Sequence, residues 1–118
     1  MMFRISFGLA VLTAALHIFV GTFDTLAPML NADLPEAVRG TLHACWHMVS
    51  LFLAVSAWCF WRRHPAAPVL AGMWVASALI FVLVAVWQGG VGGLLVLPQW
   101  ILLAPTGGLY LWANRTAL

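Results

Sequence analysis

Two histidines four residues apart, His43 and His47, lie in the stretch TLHACWHMVS, inside a run apolar enough to cross a membrane. On a helix, side chains at i and i+4 stack one turn apart on the same face, and two imidazoles so placed can hold a transition metal. His17, in an earlier apolar run, would fill a third of four tetrahedral positions. Asp24, Gln99 or water could supply the fourth, and Gln99 or Trp46 could instead sit behind the ligands and orient a ring. Zinc, copper and iron all accept imidazole, so the ligand set does not choose among them. The zinc-protease helix HExxH is excluded, because Ala44 stands where its glutamate base would be. No other acid lies within an apolar run, so hydrolysis would have to borrow Asp24, and catalysis is not the expectation.

Haem b competes for the same residues. It takes one histidine from each of two facing helices, and His17 with His43 or His47 would serve. The histidines occupy a single level, so one haem would have no second to pass electrons to; a chlorophyll-type pigment, with its single axial histidine, fits equally well. A plainer use is hydrogen bonding between helices, at ~0.6 kcal/mol per bond within a membrane. Imidazole, which ordinarily titrates near neutral pH, also suits proton transfer. Three classes of function follow. The first is a small membrane protein binding a transition metal or haem through His17, His43 and His47 near the outer, periplasmic face. The second is an accessory or assembly subunit of a larger respiratory or photosynthetic membrane complex. The third is a small proton or solute transporter, which with so few helices would work as a homo-oligomer.

Composition sets the frame for these side chains. Of 118 residues, 64% are hydrophobic and 7% charged, and the mean hydropathy is +1.04. Too little polar surface is left to cover a water-facing globule, so the expected architecture is an all-α integral membrane four-helix bundle in lipid, a single domain over residues 1–118. A net charge of +2 is too small to recommend nucleic acid as a partner. Cys45 and Cys59 fall on one expected helix, about 21 Å apart at its rise per residue, too far to bridge. Both are expected to be small buried hydrophobes.

Spans long enough for ~30 Å of hydrocarbon run over residues 5–23, 40–61, 68–88 and 94–112, with an outer loop at 24–39. The first has a basic start, but its apolar stretch is long for a signal core and no small-residue cleavage site follows, so a retained helix is expected. Arg4, Arg62, Arg63 and Arg115 fall on one side of these spans and only Arg39 on the other. The positive-inside rule then puts both termini in the cytoplasm. All seven tryptophans fit two interfacial belts, with Trp46, Trp87 and Trp100 outside and Trp58, Trp61, Trp74 and Trp112 inside. These patterns resemble those of small bacterial inner-membrane proteins, a resemblance that implies no activity.

The connections and the depths complete the expectation. RRHPAAP reads as a tight turn with His64 solvated, GGVGG as a flexible outer turn, and DLPE as a helix start. Mid-span, Pro105 should kink the fourth helix, while Gly107 and Gly108 should allow close packing. Counting residues from the outer ends puts His17 at ~9 Å, His43 at ~5 Å, His47 at ~10 Å and Gln99 at ~7 Å. These groups therefore share one slab. His17, Gly21 and Asp24 follow an i, i+4, i+7 stripe, where Gly21 would let a neighbouring helix approach, and Cys45 points away from the histidine pair.

Overall fold

The computed structural model describes residues 1–117, and its four helices are α1 (Met2–Asn31), α2 (Glu36–Arg62), α3 (Ala67–Val96) and α4 (Trp100–Thr116). The first three are long and apolar enough to cross a membrane. α4 has 17 residues, or about 25 Å at the helical rise.

The first helix does not stop at Phe23. It passes through two wide π-helical turns, Leu16–Val20 and Thr22–Leu26, joined at Gly21, and continues to Asn31. Pro28 accounts for the second wide turn: it has no N–H for the Asp24 carbonyl and its ring crowds that atom, so the turn before it opens. Asn31 Nδ2 then donates to Ala27 O at 2.9 Å and closes the helix. The expected loop over 24–39 shrinks accordingly to residues 32–35. Glu36 opens α2 behind Pro35, and its 27 residues give about 40 Å, longer than the hydrocarbon thickness.

At the opposite end Arg63 adopts the left-handed conformation (φ 49°, ψ 42°). His64 N–H returns to Cys59 O at 2.9 Å, the closure of a helix C-terminus. His64 is exposed, and its Nδ1 accepts from Ala66 N–H at 3.2 Å. α3 runs straight to the glycine turn. There Gly90 takes φ 59° and ψ −151°, a conformation open only to glycine, and the chain folds back. Gly93 consequently packs on the Ala85 carbonyl, whereas an unbroken helix would separate the two by about 12 Å. The returning chain has two pieces, residues 91–96 and α4, divided where Pro98 interrupts the backbone pattern and tied by Trp100 Nε1 donating to Leu94 O at 3.1 Å.

α1 packs on α2 and on α4, and α3 packs along α4, while α2 and α3 approach one another sparsely. The dense half of the bundle is the end that carries Arg4, Arg62, Arg63 and Arg115. Phe60 stacks on Tyr110 with ring centroids 4.5 Å apart, Phe3 meets Tyr110 edge-on at 5.1 Å, and the Arg63 guanidinium covers Phe3 at 4.5 Å. Ser6 Oγ, fully buried, donates to Thr106 O at 2.7 Å and pins α1 to α4. Gly107 lies against Ala71 O and the Trp74 and Val75 side chains, so its missing Cβ is what lets α4 reach α3; Gly108 has open space around it.

Tryptophan corrects the belt expectation. Trp74 is completely buried beside Phe60 and Phe52, a core residue and no interfacial anchor. Trp46 and Trp100 are half-buried, whereas Trp58, Trp61, Trp87 and Trp112 are exposed on the surface where a belt would need them.

Candidate functional site

Sparse contact between α2 and α3 leaves a space in the half of the bundle that carries Asp24, Asp33 and Glu36. It is a cavity of about 610 Å³ bounded by all four helices. Its polar side chains include His17 and Asp24 from α1 and Gln99 from the break before α4. The rest of the wall is largely apolar, with Trp46, Phe52 and Phe81 as its aromatic members. A hollow of this size and lining is typical of small-molecule sites.

His17 is held by α2. Its ring stacks on Trp46 with centroids 4.0 Å apart and planes 20° from parallel, and its Nε2 faces Trp46 O at 3.4 Å. Ser50 Oγ donates to the same carbonyl at 3.0 Å. Gly21 makes this possible: a Cβ there would come within 2.8 Å of the Trp46 indole. His17, Gly21 and Asp24 all border the cavity, so the stripe read from their spacing faces one space. The Asp24 carboxylate accepts from Thr25 Oγ1 at 2.6 Å.

His43 and His47 are elsewhere. Their Nε2 atoms lie 3.1 Å apart and their ring centroids 4.9 Å apart, and neither residue borders the cavity. His43 is half-buried and His47 exposed. The depth reading put the pair level with His17, and the contact of His17 with Trp46, between them in sequence, agrees. The side of α2 differs: at 3.6 residues per turn the middle of the pair points about 80° around the helix from Trp46. The three imidazoles therefore do not meet, and among the described residues no three His, Cys, Asp or Glu side chains gather in a group able to hold a metal ion.

Cys59 is buried as expected, but Cys45 is exposed and lines the cavity. Sequence reasoning passed over it, and over Phe52 and Phe81, because an apolar lining residue looks like any other apolar residue in a span. The one available signal was the helical stripe Leu42, Cys45, Val49, Phe52, which shares the face of Trp46. A smaller hollow of about 270 Å³ at Ala37, Val38, Thr41 and Leu42 offers only the Thr41 hydroxyl, already bonded to Ala37 O at 2.8 Å. No family model, no curated protein and no solved structure matches this chain.

Proposed function

We propose that this chain is a multi-pass protein of a bacterial inner membrane, with its arginine end and both termini in the cytoplasm, that binds a lipid-soluble ring compound of the quinone class without transforming it. The single observation behind this reading is the 610 Å³ cavity, apolar and aromatic over most of its wall with His17, Asp24 and Gln99 among its few polar members. A ring head would lie among Trp46, Phe52 and Phe81 with a carbonyl oxygen toward the Gln99 amide N–H, and the His17 ring, its N–H directed at Trp46 O, would pack beside it. Its apolar tail would leave between α2 and α3, where contact is sparse. Arginine asymmetry and the exposed tryptophans support the orientation.

Trp46 is a wall of the cavity, so its emission reports occupancy. In protein reconstituted into nanodiscs, a short-chain benzoquinone should quench tryptophan saturably, and Trp46→Phe should remove the saturable part. Cys45→Phe should take up part of the space and weaken the saturable quenching, and Gln99→Leu should weaken binding about tenfold, the size of one lost hydrogen bond. Quenching that rises linearly with added quinone, or that ignores Cys45→Phe, overturns the reading. Haem b is the second occupant to consider, because a histidine borders the cavity. A Soret band in the purified protein that disappears in His17→Ala would assign the cavity to haem, with His17 as axial ligand.

A further inference from the structure

We infer that His43 and His47 form a chelate for a borderline divalent metal on the outward face of α2, separate from the cavity and independent of His17. Two imidazole nitrogens bound to one such ion at ~2.0–2.1 Å are about 2.9 Å apart at a right angle and about 3.3 Å apart at the tetrahedral angle. The two Nε2 atoms stand 3.1 Å apart, within that interval, and a metal would replace the proton now shared between them. Both rings project from consecutive turns of one continuous helix, whose geometry fixes the separation.

Location adds to the case. α2 is longer than the hydrocarbon is thick, and His43 lies seven residues from the Glu36 start of the helix, so the pair stands near the rim, within reach of aqueous ions. His47 is exposed on the surface of the chain, so groups from outside the helix can complete the metal's coordination. The charged groups on α2 nearby are Arg39, one turn above His43 on the same face, and Glu36, two turns above. The arginine lowers affinity for a cation and the carboxylate partly offsets it, which places the site in the weak, exchangeable class. Copper(II), first in the divalent affinity order and content with two nitrogens and two waters in a plane, is the ion to test.

The experiment uses full-length, tag-free protein in nanodiscs, titrated with copper(II) alone and followed by electron paramagnetic resonance. One ion per chain is expected, with two nitrogens in its equatorial plane. His47→Ala and His43→Ala should each reduce the signal to one nitrogen and weaken binding at least tenfold. His17→Ala should leave stoichiometry, affinity and spectrum unchanged. Zinc(II), added alone to copper-free protein, should suppress carbethoxylation of both rings by diethyl pyrocarbonate, and copper(II) should displace it. Two results would overturn the inference. One is copper binding that is no tighter in wild type than in the His43→Ala, His47→Ala double variant. The other is loss of binding on His17→Ala as large as that on His47→Ala, which would mean that all three rings share one ion.

Discussion

Replacing Gly107 by alanine tests the close packing of α4 on α3. In an ordinary helix, glycine to alanine is favourable by ~1 kcal/mol. At Gly107 the new methyl would run into the Ala71 carbonyl and come within 3.0 Å of Trp74 Cβ and Val75 Cγ2. A backbone carbonyl cannot swing aside and Trp74 is completely buried, so α3 has to back away from α4. Overpacking of this kind costs about 1–3 kcal/mol. Gly108 is the internal control, since a Cβ there meets nothing within 4 Å; Gly108→Ala should keep the helix-propensity gain and stabilise. The difference between the two variants is therefore the steric cost with propensity cancelled, about 1–3 kcal/mol, or roughly five- to 150-fold in the unfolding equilibrium. Unfolding by sodium dodecyl sulfate in mixed micelles, read by tryptophan fluorescence, measures it. Equal stability of the two variants, within about 0.5 kcal/mol, would refute the α3–α4 contact at Gly107.

Gly90→Ala should destabilise by about 1–3 kcal/mol, because φ 59° with ψ −151° is closed to a residue with a Cβ. Gly89→Ala, at φ −139°, should be near neutral in the same titration. Cys45 should react with a membrane-permeant maleimide while Cys59, 3% exposed, stays protected until unfolding; mass spectrometry of the labelled peptides distinguishes them, and equal labelling would count against the rotation of α2.

What the sequence makes legible here is position along an axis, and what it hides is rotation about it. Apolar run length and the prolines mark both ends of α2 to within a few residues and the start of α3 to within one residue, since both act locally. Arg4, Arg62, Arg63 and Arg115 cluster at one end of the bundle because helix count and direction put them there. α1 overruns its expected end because the apolar run is interrupted at Asp24, yet the helix continues through wide π turns past Pro28 to Asn31. Depth was equally accessible, as each residue adds a fixed rise, and His17 does reach the level of the α2 histidines. Which side of α2 meets α1 was not. α2 is largely apolar all round, so hydrophobic periodicity, the cue that orients an amphipathic helix, carries little information. Gly21 held the missing piece: a glycine opposite a tryptophan selects Trp46 as the residue α1 packs against, and that choice turns His43 and His47 about 80° away. Equal depth then brings no shared ligand. In the double variant the effect of His17→Ala on cavity occupancy and that of His47→Ala on copper binding should consequently each keep its single-variant size, as perturbations without a common partner do.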